Sequence, residues 1–272
     1  MKRFLTIAVL LLCATLTFAQ AGAIMLGHRG GRNEQDENTL AAFRNAWAAG
    51  IHSFETDMRL SKDGAVIIAH DTSLLRTCGI DKTVERLTAK ELRKIKTKQG
   101  NPLLFLDDLL DFFKDKKGLY VEFEMKTEET NLYPDDAIAA YCDKVYAMIK
   151  AKIPADANWS LTSFDERALA YQHAHHPDAG LQLITGEPCS APVISQAKKL
   201  GVQRIACWLN SSNRRDVKLA HDNGLQVNLW PGSKLEDTLL ALYMGADFLC
   251  TDVPIAMKKY FEEHPPYSPV RF

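Results

Sequence analysis

LQLITGEPCSAPVISQAKKLGVQRIACWLNSSNRRDVKLAHDNGLQVNLWPGSKLEDTLLALYMGADFLCTD, residues 181–252, holds the repeat that decides the fold. Four apolar runs begin at residues 181 (LQLITG), 202 (VQRIACWL), 225 (LQVNLWP) and 246 (ADFLCTD). Between them lie APVISQAKKLG, RRDVKLAHDNG and KLEDTLLALYMG, each with helical spacing of apolar residues and each ending on Gly, the common stop of a helix. With WSLTSF from residue 159, the last five strand starts are 22, 21, 23 and 21 residues apart. That period accommodates a strand, a turn and a three-turn helix.

The same alternation extends toward the N-terminus. AIMLGH from 23, SFETDMRL from 53 and LYVEFEMK from 119 read as strands, and TLAAFRNAWAAG, DDAIAAYCDKVYAMIKAK and DERALAYQHAHH as helices. Eight strands, each followed by a helix, predict an α/β fold of the closed (β/α)8 TIM-barrel type. An open doubly wound sheet is the alternative, and the lack of G-x-G-x-x-G after the first strand counts against it. One interval, from His70 to Leu119, is too long for a single loop. LLFLDDLLDFFKD within it reads as the barrel helix, and residues of about 72–101 as an insertion after the second strand, packed beside the barrel mouth.

The chain has 272 residues, 46% of them apolar, enough for a large core and incompatible with disorder. Its 33 basic and 34 acidic residues nearly cancel, so no nucleic-acid partner is expected. Residues 1–21 read as a secretory signal peptide: Met1-Lys2-Arg3 is basic, Phe4 to Phe18 is almost wholly apolar, and Ala19, Ala21 and Ala23 supply small residues for cleavage. The apolar run is short for a transmembrane anchor, and none is expected in the mature chain, residues 22–272. Bulky Leu12 before Cys13 argues against lipid attachment there. The predicted location is periplasmic or secreted. Cys78, Cys142, Cys189, Cys207 and Cys250 show no C-x-x-C spacing, which argues against a zinc or redox motif.

Side chains two apart on a strand share a face. Glu55 and Asp57 therefore point together from the second strand, and Glu122, Glu124 and Lys126 from the third. His28-Arg29-Gly30-Gly31 ends the first strand, and His70-Asp71 closes AVIIAHD after a Lys62-Asp63-Gly64 turn. The carboxyl ends of barrel strands form the active site in this architecture. Carboxylates gathered there repel one another unless a cation lies between them, and oxygen-only ligands suit Mg²⁺ or Ca²⁺. Two histidines can move protons near neutral pH, and Arg29 and Lys126 offer positive charge to an anion. Cation, arginine and paired histidines together read as phosphoryl chemistry. Taken singly, an E-x-D pair is more often a solvated strand face, and Asn38-Thr39 before a helix is first a cap.

GHRGGRNEQDENTLAAF at 27–43, ETDMRLSKDGAVIIAHD at 55–71, EFEMK at 122–126 and GADFLCTD at 245–252 resemble the glycerophosphodiester phosphodiesterase family. LLRTCG at 74–79, LTAKEL at 87–92 and LTSF at 161–164 extend the likeness through nearly the whole mature chain. The resemblance implies a (β/α)8 barrel with a small insertion after the second strand. It implies hydrolysis of small-molecule glycerophosphodiesters, deacylated phospholipids, to glycerol 3-phosphate and an alcohol. By the same resemblance His28 and His70 are the acid–base pair, and Glu55, Asp57 and Glu124 bind a divalent cation, Mg²⁺ or Ca²⁺. Arg29 and Lys126 bind the phosphate, Trp230 lines the glycerol side, and Glu37 lies near the site. Glu122 stands where the family often has a neutral residue. It either adds negative charge at the site or faces a neighbouring strand. Asp36 replaces the usual Pro before E-N-T, which predicts a looser loop, and Pro231-Gly232-Ser233 after Trp230 departs from the usual Thr, Val and Asn. Two rivals remain: a related barrel lyase that releases a cyclic phosphate, and a non-catalytic extracellular binding module.

Overall fold

A computed structural model describes residues 22–266 and 269–272. The expected leader and its cleavage site lie outside the described residues. β1 (Ala23–His28) leads through α1 (Leu40–Ala48) to β2 (Ser53–Leu60). An excursion follows, containing β3 (Val66–Ile68), the single-turn helices α2 (Leu75–Cys78) and α3 (Ala89–Leu92), and β4 (Leu104–Phe105). α4 (Leu106–Phe113) reaches β5 (Tyr120–Met125), and strict alternation resumes with α5 (Asp135–Lys152), β6 (Asn158–Ser163) and α6 (Glu166–His175). β7 (Gly180–Pro188), α7 (Ala191–Leu200), β8 (Arg204–Trp208) and α8 (Arg214–Asp222) continue it. β9 (Gln226–Gly232), α9 (Leu235–Met244), β10 (Phe248–Thr251), α10 (Pro254–Glu263) and the short β11 (Val270–Arg271) complete the described chain.

β1 pairs in parallel with both β2 and β10, and this closes the ring β1-β2-β5-β6-β7-β8-β9-β10. The fold is the (β/α)8 barrel predicted from the repeat. Alternate strand positions send Met25, Phe54, Val121, Phe123, Leu161, Leu181, Ile205, Val227 and Leu249 outward against the helices, where they form the main core. Phe43 of α1, Phe54 of β2 and Phe113 of α4 meet with ring centroids 5.4, 5.7 and 6.0 Å apart. Each fully buried aromatic contributes roughly 1.5–3 kcal/mol by leaving water. Inside the barrel, Leu26, Tyr120, Phe248 and Cys250 make a small apolar floor. α7 and α9 stop where Gly201 and Gly245 take left-handed backbone.

The excursion is wider than the 72–101 anticipated. β3 turns back antiparallel on β2, with Met58 opposite Ile68, and β4 pairs with β3, so it runs from Ser61 to the start of α4. Ile67, Leu74, Val84, Leu87, Leu92 and Phe105 give it a core of its own. Arg59 of β2 fastens it to the barrel, pairing with Glu85 at 2.9 Å and Glu129 at 3.3 Å. Asp36 also departs from expectation. Its buried carboxylate accepts from Thr97 Oγ1 and from Asn101 Nδ2 at 3.0 Å, so it ties the loop to the excursion instead of loosening it.

Candidate active site

The closed register brings all eight residues singled out in the sequence to the carboxyl end of the barrel. His28 ends β1, Glu55 and Asp57 lie on β2, Glu124 on β5 and Trp230 on β9, and Lys126 follows β5 directly. His70 arrives by a different route. Ala69 N–H donates to the Asp57 carbonyl at 3.1 Å, and Arg59 Nε donates to the His70 carbonyl at 2.9 Å, so the excursion lays His70 beside the mouth. His28, Arg29, Glu55, His70, Glu124 and Trp230 line one cavity of about 270 Å³. Arg29, Glu37, His70, Asp71 and Arg76 line a more open one beside it.

Arg29 sits at φ 51°, and Gly30 and Gly31 follow at 79° and 94°. Glycine is needed at 30 because a Cβ there would lie 2.9 Å from the Ala42 Cβ. This tight turn aims the Arg29 side chain back at β2, where its Nε lies 3.3 Å from Asp57 Oδ2 and its Nη1 donates to Glu37 at 3.1 Å. Left-handed backbone at a non-glycine residue costs free energy and tends to mark functional positions.

Oxygens of Glu55, Asp57 and Glu124 approach within 4.8 Å of one another, and all three residues are buried. One oxygen of each is occupied. Glu55 Oε2 accepts from Arg29 N–H at 3.2 Å, Asp57 Oδ2 from Asn38 Nδ2 at 2.7 Å, and Glu124 Oε1 from Lys126 Nζ at 2.8 Å. Glu55 Oε1 and Asp57 Oδ1 are buried without any hydrogen-bond partner. Burial, and then the neighbouring carboxylates, raise Glu55 well above the carboxylate range. Burial pushes Glu124 up to about 7, with Asp57 adding to it and Lys126 opposing. Asp57 falls far below its usual value: burial opposes this, but the Arg29 and Lys126 charges, His70 in its protonated form and the Asn38 hydrogen bond outweigh it. Orphaned acceptors beside mutually repelling carboxylates suit a hard divalent cation.

Each histidine is held by an acid. His28 Nδ1 lies 2.5 Å from Asp252 Oδ1, and His70 Nδ1 lies 2.6 Å from Asp71 Oδ1. A carboxylate accepts only, so each ring carries its proton on Nδ1 and leaves the Nε2 lone pair free. Burial lowers both imidazoles below 6.5, more than the partner carboxylates raise them. Burial thus favours the neutral form of each ring. Over this site Phe164, Trp208 and Trp230 form an aromatic wall, with Trp230 edge-on to Trp208 at 5.0 Å and to Phe164 at 5.8 Å.

The sequence profile of the glycerophosphoryl diester phosphodiesterase family matches residues 28–256. The chain belongs to that family. It is accordingly an enzyme, a phosphoric diester hydrolase. A glycerophosphodiester phosphodiesterase of Caldanaerobacter subterraneus is 35% identical over 242 residues, which cover 85% of this chain and 94% of that one. A human lysophospholipase D is 25% identical, covering 89% of this chain and 86% of its own length. The crystal structure of an Oleispira antarctica phosphodiesterase in complex with the product sn-glycerol-3-phosphate superposes with a TM-score of 0.79. It is 20% identical and covers 88% of this chain and 96% of that one. A glycerophosphodiester phosphodiesterase from Parabacteroides distasonis gives 0.75 at 22% identity, covering 90% and 98%.

Within this family phosphodiesterase, sequence reasoning missed the residues that hold the site in shape. Asp252 was visible only as the last residue of GADFLCTD, and Asn38 only as a capping neighbour. Thr39 is the actual cap of α1, accepting from Ala42 N–H, which frees Asn38 to bond Asp57. Arg76 of α2 gave no sign of its role. Both its Nη atoms donate to Glu37 at 2.6 Å, and its Nε donates to Asp71 at 2.6 Å. It thus braces the partner of Arg29 and the partner of His70 together. Arg76→Ala is expected to lower kcat/KM roughly 10- to 100-fold, the usual cost of removing a support behind a site. Because Arg76 is half exposed, the thermal midpoint should move little. Steady-state kinetics with a melting curve checks both.

Proposed function

We propose that the protein hydrolyses glycerophosphodiesters to glycerol 3-phosphate and an alcohol, in a cation-dependent reaction with His28 and His70 as the proton-transfer pair. The observation that carries this reading is a carboxylate triad with spare oxygens, flanked by two imidazoles that each pair through Nδ1 with an aspartate. Glu55, Asp57 and Glu124 would hold Mg²⁺ or Ca²⁺. Such an ion, when bound, offers Lewis-acid stabilisation of the phosphate's developing charge.

Arg29 binds and orients the diester, using a guanidinium suited to phosphate. Lys126, held charged by Glu124 and Asp57 against the opposing effect of burial, adds a second positive group. One imidazole takes the nucleophile's proton at Nε2 while the other, once protonated, delivers a proton to the leaving alkoxide. Asp252 and Asp71 fix the tautomers and steady each ring as it becomes cationic. Trp230 packs against the glycerol end. The basic, apolar and small-residue start of the chain supports export, hence a periplasmic or secreted setting. Among the described residues no helix is long and apolar enough to cross a membrane.

Turnover of glycerophosphocholine with Mg²⁺ or Ca²⁺, followed by ³¹P spectroscopy, tests the reading. Glycerol 3-phosphate is the expected product. A cyclic phosphate as the end product would assign the protein to the lyase class, and no turnover of any glycerophosphodiester would refute the proposal.

Cation binding should also depend on pH with a defined sign. Glu124 carries a proton below about 7 in the cation-free protein and must lose it to act as a ligand. Affinity should therefore fall as pH drops from 8 to 6. Calorimetric titrations in buffers of different ionisation heat should register proton release near pH 6.5, and pH-independent affinity would contradict the ligand assignment.

A further inference from the structure

A second set of metal-binding donors adjoins the carboxylate triad. Cys250 of β10, Glu55 of β2 and His28 of β1 bring a thiol sulfur, a carboxylate oxygen and an imidazole nitrogen within 4.8 Å of one another. Ring closure assembles them: His28 lies opposite Glu55 across β1 and β2, and Cys250 opposite Leu26 across β1 and β10. Cys250 and Glu55 are buried, and all three residues line the cavity. Glu122, also buried against that cavity, is engaged already. Its Oε1 accepts from Tyr120 OH at 3.1 Å, and its Oε2 accepts from Gln182 Nε2 at 2.9 Å and Asn228 Nδ2 at 3.2 Å. A carboxylate cannot donate, so both amides turn their NH₂ groups toward it.

The second set differs from the triad in kind. Asp252 takes His28 Nδ1, which leaves Nε2 facing Glu55 Oε2 at 3.7 Å. An imidazole whose other nitrogen bonds a carboxylate is the usual form of a zinc-binding histidine, because the acid fixes the tautomer and makes the ring a stronger donor. Glu55 Oε1 is buried without a hydrogen-bond partner. Mg²⁺ and Ca²⁺ take oxygen ligands and would leave the sulfur unused. A thiolate beside an imidazole selects a softer ion. One nitrogen, one oxygen and one sulfur make a three-ligand zinc set, with a fourth position left to the cavity.

We propose that His28, Glu55 and Cys250 form an inhibitory Zn²⁺ site that overlaps the active site. Binding breaks the Cys250 S–H bond, releases that proton to solvent and joins the sulfur to the ion, with no electron transferred. The ion occupies the His28 Nε2 lone pair, so His28 can no longer move a proton. It also draws on Glu55, which the hard-cation set needs. The inhibition rests on the phosphodiesterase reading, whereas the Zn²⁺ site does not. Cys250 supplies the softness of the site and has no part in proton transfer or phosphate binding.

Co²⁺ serves as the spectroscopic probe, because its bond to a thiolate gives a near-ultraviolet band that oxygen ligands do not. Wild-type protein titrated with Co²⁺ is expected to show the band, Zn²⁺ to abolish it and excess Mg²⁺ to leave it in place; Cys250→Ala should lack it. Inhibition is read from glycerophosphocholine turnover with saturating Mg²⁺ or Ca²⁺ and increasing Zn²⁺, each protein compared with its own zinc-free rate. Losing only a support behind a ligand costs about 10- to 100-fold in metal affinity, so Cys250→Ala should raise the half-inhibiting Zn²⁺ concentration at least about ten-fold. Should that variant not fold, alkylation of Cys250 in wild-type protein, mapped by mass spectrometry, replaces it: Zn²⁺ should protect the thiol and Mg²⁺ should not. No thiolate band in wild-type protein, a band that survives in Cys250→Ala, or no protection overturns the site and leaves the phosphodiesterase reading standing. A Cys250-dependent band with equal Zn²⁺ sensitivity in both proteins overturns the inhibitory role. The band without glycerophosphodiester turnover in Mg²⁺ or Ca²⁺ overturns the phosphodiesterase reading and the inhibition, and upholds the site.

Discussion

His28→Ala is expected to lower kcat by about two to four decades, the span for loss of a positioned proton-transfer group, and His70→Ala to do the same. His28 is held at 2.5 Å by Asp252, itself anchored by Arg32 at 2.9 Å, and His70 is held at 2.6 Å by Asp71. Asp252→Asn sharpens the test. Asparagine can present its NH₂ to Nδ1, which favours the tautomer with the proton on Nε2, the wrong atom for a base. That variant should lose most of the rate while keeping the imidazole and the fold. Single-turnover rates and melting curves on His28→Ala, His70→Ala and Asp252→Asn decide the matter. Near-wild-type rates in both histidine variants would remove them from the chemistry.

Cation withdrawal is the second large effect. Chelation should bring activity to background, with Mg²⁺ or Ca²⁺ restoring it, and Asp57→Asn should cost roughly three decades in kcat/KM, since a bound cation is worth several kcal/mol at a phosphoryl oxygen. Stability gives an independent readout. A ligand that binds only the folded state at a hundred times its Kd stabilises by about 2.7 kcal/mol, so the wild-type melting midpoint should rise with cation. Asp57→Asn should abolish that rise. The buried, partnerless Glu55 Oε1 and Asp57 Oδ1 are the reason to expect it. Full activity in cation-free protein would refute the triad's role.

The readability of this molecule followed the range of the forces involved. Alternation along a strand is a local rule, so Glu55 with Asp57, and Glu122 with Glu124, could be placed on common faces from residue order alone. The excursion was harder. Its β3 and β4 are only three and two residues long, and they exist because β2 extends past the barrel rim and offers an edge. Asp36 shows the same limit: read within its own loop it lacked the stiffness of proline, whereas Thr97 and Asn101 reach it from more than sixty residues away.

By itself the sequence determined the barrel, through a repeating strand–helix period, and the set of charged side chains at its mouth, through two-residue alternation. Tertiary structure alone decided which acid steadies which histidine, how Arg76 braces Glu37 and Asp71 together, and which way the amides of Gln182 and Asn228 point. Asp252 lies 224 residues from His28 and Asn228 lies 106 from Glu122. Hydrogen-bond partners are chosen by distance in space, and only closure of the ring between β1 and β10 makes those distances short.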